Sequence, residues 1–166
     1  IFNKENKIKI KTLINGQNIT NAWIKIYELL NNYKLLDHTK NEGKIKHFDN
    51  CALPGSFILA VNHYIKTNVD FQDNIVYDWK ASSLIGDGKL DDTYRLLTNY
   101  SDRWLIDYQD PNSGDVVSKK NQEFWRDYFK NEDGTYGSVD LYTSDVGFEK
   151  ITTYENKEID HLPLNI

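Results

Sequence analysis

The order of hydrophobic and polar residues predicts a helical first half of the chain. Residues 7–14 (KIKIKTLI) alternate apolar and basic positions, which predicts a short strand, with a sticky N-terminal arm as the alternative. A helix is predicted from a cap at Asn18 or Thr20 to about Leu36, because apolar residues recur there at helical spacing. The expected core-facing positions of this helix are Trp23, Ile26, Tyr27, Leu30 and Tyr33.

A second helix is predicted to begin at the only cysteine of the chain. Residues 37–50 are polar and predict a loop that ends at Asn50, where an N-cap residue would stand. Pro54 falls in the predicted first turn, one of the few helical positions that tolerate proline. The expected buried face of this helix comprises Phe57, Ile58, Val61 and Ile65.

The rest of the chain shows shorter segments with strand and turn signals. Strands are predicted at residues 75–79, 104–108, 115–119 and 138–145, the last with a hairpin partner at 147–156. Two further helices are predicted at residues 90–100 and 121–129. Helices followed by a small antiparallel sheet predict an α+β fold in one domain spanning residues 1–166.

Composition narrows the classes of function. The 166 residues carry a formal net charge of -5, and no Lys/Arg run exceeds two residues, which argues against a protein that grips nucleic acid by its phosphates. No apolar run approaches the roughly 18–20 residues that span a bilayer. One cysteine excludes an intrachain disulfide framework and a Cys-rich zinc site, and we predict neither a metal nor a cofactor.

Cys51 stands where a nucleophile would stand. The start of a helix offers free N–H groups and the positive end of the helix dipole, which would lower the pKa of the thiol and stabilise an oxyanion at the first-turn amides, such as that of Ala52. The alternative is a buried cysteine that fills space, which is the common fate of a free cysteine.

A cysteine nucleophile needs a histidine base, and no histidine is an evident one. His63 would lie roughly 18 Å away along the same helix at 1.5 Å per residue. His47 is close in sequence and stays open as an alternative base, whereas His38 and His161 are expected at the surface.

Two motifs resemble those of a known enzyme family. The segment 49–56 (DNCALPGS) is similar to the Asn-x-Cys-x-Ile-Arg-x-Ser helix start of the type VI secretion system amidase effector 4 family, and 137–142 (GSVDLY) is similar to its Gly-His-hydrophobic-x-Leu-Trp strand. The resemblance implies a papain-like fold of the NlpC type, with helices packed on a small antiparallel sheet and Cys51 at a helix N-terminus. It also implies that Ser138 occupies the position of the catalytic histidine, with Asp145 and Glu149 near the position of the orienting acid.

The departures from that family leave three explanations open. The family's arginine is Pro54 here and its histidine is Ser138, whose hydroxyl cannot accept a proton at neutral pH as an imidazole does. Either the alignment is shifted and His47 is the base, or residue 138 is an engineered substitution, or the chain is an inactive relative that binds without cutting. Trp104 and Tyr136 are candidates for a substrate groove, with core packing as the alternative.

The resemblance implies an antibacterial hydrolase that cuts an amide bond in peptidoglycan stem peptides. It further implies secretion into the periplasm of a target bacterium and a cognate immunity protein as partner. The composition, as stated above, predicts no nucleic-acid partner. Two alternatives remain: a non-catalytic binding or immunity-type module of the same fold, and another secreted toxin domain that uses Cys51 with His47.

Overall fold

The fold is built on a short parallel sheet with helices on both faces. A computed structural model describes residues 4–71 and 74–147. The three strands are β1 (Lys44–Asn50), β2 (Val76–Ser82) and β3 (Leu141–Ser144). The helices are α1 (Lys4–Ile14), α2 (Asn21–Tyr33), α3 (Ser56–Thr67), α4 (Leu96–Asn99) and α5 (Lys119–Tyr128), with single 3₁₀ turns at Asp37–Thr39 and Ser101–Arg103.

All strand pairings in the sheet are parallel, and the strand order is β2-β1-β3. Trp104 adds a parallel bridge to Ala81 on the outer side of β2. The chain therefore moves outward from β1 on one side and returns to the other side of β1 with β3. An α/β sheet with both faces covered is the result, so the prediction of a papain-like α+β fold with an antiparallel sheet is wrong.

Alternation along β1 divides its side chains between two helical layers. Ile45 belongs to the larger core cluster, which also holds α2 and α3 residues such as Trp23 and Val61. Phe48 points to the opposite face, where its ring lies 5.8 Å from Trp125 of α5. This arrangement leaves the carboxyl ends of β1 and β3 open between the layers.

The strand predicted at residues 7–14 is a helix. Ile10 and Ile14, four residues apart, pack against the larger core cluster, and Glu5 and Lys9 form an i,i+4 ion pair of 3.0 Å on the outer surface. The residues that alternate between apolar and basic also repeat with a period of four, and this helical period determines the structure of the segment.

The helix around Trp23 is confirmed. Thr20 caps α2, since its hydroxyl oxygen accepts a hydrogen bond of 3.1 Å from the Trp23 backbone N–H. The helix ends at Tyr33, earlier than predicted, because Lys34 adopts a left-handed conformation. Tyr33 is 70% exposed, so the predicted apolar stripe is one residue too long.

The second predicted helix begins five residues later than expected. The segment 44–50, predicted as a loop, is the central strand β1, and α3 starts at Ser56 after a turn. All four residues of its predicted buried face are buried: Phe57, Ile58, Val61 and Ile65.

Later predictions are mixed. Strand 75–79 corresponds to β2 and helix 121–129 to α5, whereas the segment 104–108 keeps only the bridge at Trp104. Residues 115–118 form turns, and most of the helix predicted at 90–100 is irregular. The proposed hairpin partner at 147–156 lies outside the described residues beyond Gly147. No helix within residues 4–71 and 74–147 is long and apolar enough to cross a membrane.

Candidate functional site

A crevice opens where the chain reverses its direction of travel across the sheet. Asn50 at the end of β1 pairs with Ser144 at the end of β3. Cys51 and Asp145 follow these residues directly. The chain passes from β1 to β2 on one side of β1 and comes back to β3 on the other side, so this is the topological switch point, where open α/β sheets bind their ligands.

An ion pair spans the mouth of this crevice. Lys25 of α2 approaches Asp145, with 2.5 Å between Nζ and Oδ1. The ammonium also lies 6.0 Å from the centre of the Phe57 ring. The two side chains are 56% and 42% exposed, so a ligand in the crevice could reach both.

The turn between β1 and α3 is held by its own backbone amides. Cys51 has a φ of 61°, and its N–H donates a hydrogen bond of 3.0 Å to the Asn50 side-chain oxygen. The N–H of Ala52 donates a hydrogen bond of 3.0 Å to the Ser82 carbonyl. The N–H of Leu53 donates one of the same length to the Ser83 hydroxyl. These bonds tie the turn to the end of β2 and give one wall of the crevice a defined shape.

Gly55 starts α3 for a steric reason. Its φ is 109°, and a Cβ built there would lie 2.3 Å from Leu96 Cδ1. A side chain at this position would therefore be strained and would also collide with α4.

Two depressions lie next to this turn. The larger one has a volume of about 340 Å³, and the smaller one a volume of about 100 Å³. Cys51 and Leu53 line both. The larger depression is mainly apolar but includes the carboxylates of Asp91 and Asp115, whereas the smaller one contains Asp49 and Asp145.

The larger depression is closed on one side by a loop that crosses the end of β2. The Ile85 N–H donates 3.0 Å to the Ser113 carbonyl, which fixes the loop against the chain after β2. Gly114 follows with a φ of 81°, and a Cβ there would lie 2.0 Å from the Ser83 carbonyl oxygen. Only glycine allows these two backbones to approach so closely.

A series of hydrogen-bonded polar side chains, all buried except the partly exposed Tyr77, runs beneath the crevice. His47 contacts the Tyr77 hydroxyl through Nδ1 and the Thr143 hydroxyl through Nε2, both at 2.6 Å. Thr143 donates 2.7 Å to Asp49 Oδ1. Asp49 Oδ2 is buried, and none of the described residues donates a hydrogen bond to it.

Burial shifts the pKa values of His47 and Asp49 in this series toward their neutral forms. Desolvation lowers the pKa of His47 to about 3. Desolvation raises the pKa of Asp49 to about 8, against the opposing effect of the Thr143 hydrogen bond, while the nearby charge of Asp145 adds to the increase. The two groups therefore remain uncharged together over the middle of the pH range.

These shifts predict a loss of stability in mildly alkaline solution. An unfolded aspartate has already lost its proton near pH 4, whereas folded Asp49 keeps its proton up to about pH 8. The native state therefore binds the extra proton, and its stability falls as the pH rises toward 8. Above pH 6.5 the unfolded His47 is neutral as well, so Asp49 governs the slope within this pair.

We expect the free energy of unfolding to decrease by about 1–2 kcal/mol between pH 6.5 and 8. Urea unfolding at several pH values measures it, and Asp49→Asn should remove this part of the slope. The prediction is contradicted by an Asp49→Asn variant whose stability depends on pH as strongly as that of the wild type.

Cys51 lies in the crevice, but it does not stand at a helix N-terminus and its thiol is not ionised. Burial raises the pKa of its thiol to about 11, despite a hydrogen bond with Ser144. The helix that was expected to begin there begins at Ser56. The Ala52 amide, expected as an oxyanion donor, is already bonded to the Ser82 carbonyl. The thiol is thus an uncharged part of the wall.

The alternative base His47 and the residue at the expected histidine position, Ser138, are both far from Cys51. His47 lies three residues before the end of β1, about 10 Å from Asn50 at 3.3 Å per residue, and both its ring nitrogens are occupied. Ser138 lies near the amino end of β3, whereas Cys51 follows the carboxyl end of the parallel strand β1. Its hydroxyl donates 2.6 Å to the Phe129 carbonyl. Neither residue can serve the thiol.

The other site residues predicted from the sequence lie in different parts of the structure. Asp145 lies in the crevice as described, and Glu149 lies outside the described residues. Trp104 is buried, and its ring N–H donates 3.2 Å to the Leu96 carbonyl, so packing explains it. Tyr136 is 59% exposed and lines a different groove, next to α5. No group of three or more His, Cys, Asp or Glu side chains in the described residues could hold a metal ion.

Lys25 and Asp49 are the site residues that the sequence did not reveal. Lys25 occupies an ordinary polar position of an amphipathic helix, and its partner is 120 residues away. Asp49 belongs to a segment whose polarity predicted a loop. A usable signal was the sequence 48–57 (FDNCALPGSF) interpreted as the end of a strand, a glycine-containing turn and a helix start.

Comparison with known proteins identifies the class of this fold. A family model described as FtsJ-like methyltransferase matches residues 19–165. An uncharacterized protein of Acanthamoeba polyphaga mimivirus is 34% identical over 149 residues, which are 88% of this chain and 17% of that protein. A probable methyltransferase of African swine fever virus is 31% identical over 166 residues, covering 95% of this chain and 36% of the viral protein.

A vertebrate relative carries a more specific name. The cap-specific mRNA (nucleoside-2'-O-)-methyltransferase 2 of Danio rerio is 29% identical over 147 residues, which are 84% of this chain and 19% of that protein. The chain thus spans about a sixth to just over a third of the length of these relatives. No solved structure matches it.

These comparisons overturn the predicted amidase. The match to a methyltransferase model, together with the parallel sheet, contradicts the type VI effector resemblance, the cysteine hydrolase activity and the peptidoglycan substrate. The alternatives of an immunity-type module and of a toxin using Cys51 with His47 fit no better. Secretion to a target periplasm was expected only from that resemblance and loses its support. The exclusion of nucleic acid is contradicted by relatives named for mRNA methylation.

Proposed function

Because this chain belongs to the FtsJ-like methyltransferase family, we propose that it contributes the site for methyl transfer from S-adenosylmethionine to a ribose hydroxyl of RNA. The substrate class rests on relatives named as cap-specific mRNA (nucleoside-2'-O-)-methyltransferases in zebrafish and mouse. The observation that carries the proposal is the Lys25–Asp145 ion pair at the mouth of the switch-point crevice.

The residues around the crevice fit this methyl donor. Asp49 Oδ2 is a buried acceptor that none of the described residues satisfies, and it suits the donor's ammonium group. Leu53 and Val116 offer apolar surface for an adenine ring, and Asp91 and Asp115 offer acceptors for ribose hydroxyls. When bound, S-adenosylmethionine supplies an electrophilic methyl group on a positively charged sulfur.

The ion pair suits the other half of the reaction, which is to prepare a hydroxyl as the nucleophile. Lys25 bonds Oδ1 of Asp145, which leaves Oδ2 to accept a hydrogen bond from an RNA hydroxyl. The carboxylate can orient that hydroxyl and draw its proton away as the oxygen forms its new bond. The ammonium of Lys25 stabilises negative charge that develops on the oxygen.

The exposure of the pair fits a large substrate. Both side chains are about half exposed, so the backbone of a polymer can approach from the surface without entering the core. The larger depression is mainly apolar and, at about 340 Å³, suits a small molecule.

A net negative charge is compatible with this substrate. Phosphate contacts determine the strength of binding to long nucleic acids, whereas one ribose hydroxyl can be recognised by a few local groups. The formal net charge of -5 therefore does not exclude an RNA substrate that is recognised at one ribose.

Two measurements test the proposal. Calorimetric titration with S-adenosylhomocysteine, the demethylated product, should give saturable binding at one site. Incubation with a capped RNA oligonucleotide and radiolabelled S-adenosylmethionine should label the RNA but not a matched oligonucleotide in which every 2'-hydroxyl is already methylated. Absence of nucleoside binding, or equal labelling of both oligonucleotides, would contradict the proposal.

A further inference from the structure

The buried hydrogen-bond chain under the crevice has a definite direction. Thr143 uses its single hydroxyl proton on Asp49 Oδ1, so it must accept from His47 Nε2. His47 then carries its proton on Nε2, and Nδ1 accepts from the Tyr77 hydroxyl. Three donors in series therefore point toward the Asp49 carboxyl group.

Three of the four residues in this series are buried, and Tyr77 at its outer end is partly exposed. His47 and Asp49 are each 1% exposed, and Thr143 is 7% exposed. His47 and Tyr77 also stack, with ring centres 5.9 Å apart and planes inclined by 22°. With both ring nitrogens bonded and no freedom to rotate, the imidazole transmits the orientation of Tyr77 to Thr143.

The Asp49 end of this hydrogen-bonded series lies at the proposed ligand site. Asp49 Oδ1 is occupied by Thr143, whereas Oδ2 has no donor among the described residues. Asp49 lines the smaller depression together with Cys51 and Asp145. Burial raises the pKa of Asp49 to about 8, so its negative charge is costly until a cation pairs with it.

We propose that Tyr77, His47 and Thr143 are positioning residues that fix Asp49 as the acceptor for the ammonium group of the methyl donor. The inference rests on the proposed function, because it names how one part of that donor is held. The relay keeps Oδ1 occupied and the carboxyl plane fixed, and it leaves Oδ2 as the one oxygen available to the ligand. Its role is discrimination for the amino-acid end of the ligand, not a proton transfer in the reaction.

The test compares two ligands that differ in that end. S-adenosylhomocysteine carries the ammonium group, whereas 5'-methylthioadenosine lacks the amino-acid portion. We expect Thr143→Val to weaken binding of the first ligand roughly 5- to 20-fold and to change binding of the second less than about twofold. Thr143→Ser, which restores the hydroxyl, should return the affinity for the first ligand to within about threefold of the wild type.

Two further variants keep the test decisive. Tyr77→Phe removes only the outermost hydroxyl and keeps the ring, so it serves as the test if Thr143→Val does not fold. We expect this variant to bind S-adenosylhomocysteine roughly threefold more weakly and 5'-methylthioadenosine with unchanged affinity. Thr135→Val is the matched control, since Thr135 also donates to an aspartate, Asp133, but on an exposed turn. It should change neither affinity.

The outcomes separate this inference from the proposed function. If Thr143→Val weakens the binding of both ligands equally, or of neither, the positioning role of these residues is overturned. The methyltransferase proposal still stands in that case, provided that the wild-type protein binds S-adenosylhomocysteine. A wild-type protein that binds neither ligand overturns both.

Discussion

Replacing Asp145 by Asn should reduce methyl transfer to RNA at least about 100-fold and leave the affinity for S-adenosylhomocysteine within about threefold of the wild type. The substitution keeps the size of the side chain but removes the charge that pairs with Lys25 at 2.5 Å and the acceptor for the hydroxyl proton. Positioned acid–base groups contribute roughly 10²–10⁴-fold to rate, which sets the expected magnitude. Single-turnover labelling with saturating donor measures the chemical step directly.

Lys25→Met should give a loss of the same order, because it removes the other half of the pair. The double variant should be little worse than either single variant, since the two residues act on one hydroxyl and their effects do not add. Asp70→Asn provides a matched control. Asp70 also pairs with a lysine, Lys40, at 2.9 Å, but away from the crevice, and its loss should leave the rate unchanged.

Two results would contradict the assignment. An Asp145→Asn variant with wild-type turnover would remove the ion pair from the mechanism, whatever its position. Equal losses of turnover and of S-adenosylhomocysteine affinity would mean that the pair holds the donor and does not act on the RNA hydroxyl. Both measurements use the same preparations, so a folding defect would appear as a loss of the binding stoichiometry.

The central strand β1 shows most clearly why the fold was only partly predictable. Its side chains His47, Asp49 and Asn50 are polar, and polar runs between helices normally predict loops. In the structure all three are buried. Thr143 bonds both to His47 and to one carboxylate oxygen of Asp49, and the Asn50 side-chain oxygen accepts from the Cys51 N–H. The residues that conceal the strand are thus the ones that form the site, as is expected where function overrides the local hydrophobic pattern.

One missed strand also explains the wrong sheet. Without β1, helix α3 has no strand before it, and the β1-α3-β2 unit that implies a parallel sheet cannot be recognised. The later strand 138–145 shows clean alternation, which indicates a half-buried strand but not the direction of its neighbours. The helices α2, α3 and α5 were largely predictable because their apolar faces rest on the ordinary period of a helix.

The candidate site was predicted only in fragments. Cys51 and Asp145 were named, and both lie in the crevice, but the reaction assigned to them came from a resemblance that two short motifs could not support. Helix dipole arguments for Cys51 failed because the helix starts at Ser56 and desolvation outweighs any dipole effect on the thiol. Pairing across 120 residues, as between Lys25 and Asp145, is a property of the fold and has no local signal.

Gly114→Ala should be the most damaging single change to the stability of the crevice wall. Its φ of 81° disfavours any L side chain, and the new Cβ would lie 2.0 Å from the Ser83 carbonyl oxygen, which belongs to backbone and cannot turn aside. Left-handed strain costs about 1–2 kcal/mol, and overpacking of this kind adds about 1–3 kcal/mol. We expect a total near 3 kcal/mol and a melting temperature lower by about 10 °C.

Gly88→Ala separates the two causes, because Gly88 has the same φ of 81° but has nothing within 4 Å of the new Cβ. It should cost about 1–2 kcal/mol, from strain alone. The difference between the variants in thermal and urea unfolding then measures the close approach of residue 114 to Ser83. Since that approach shapes the larger depression, Gly114→Ala should also weaken S-adenosylhomocysteine binding at temperatures where the variant remains folded. Equal destabilisation by the two substitutions would mean that the loop can move away, and the wall would then not depend on glycine at residue 114.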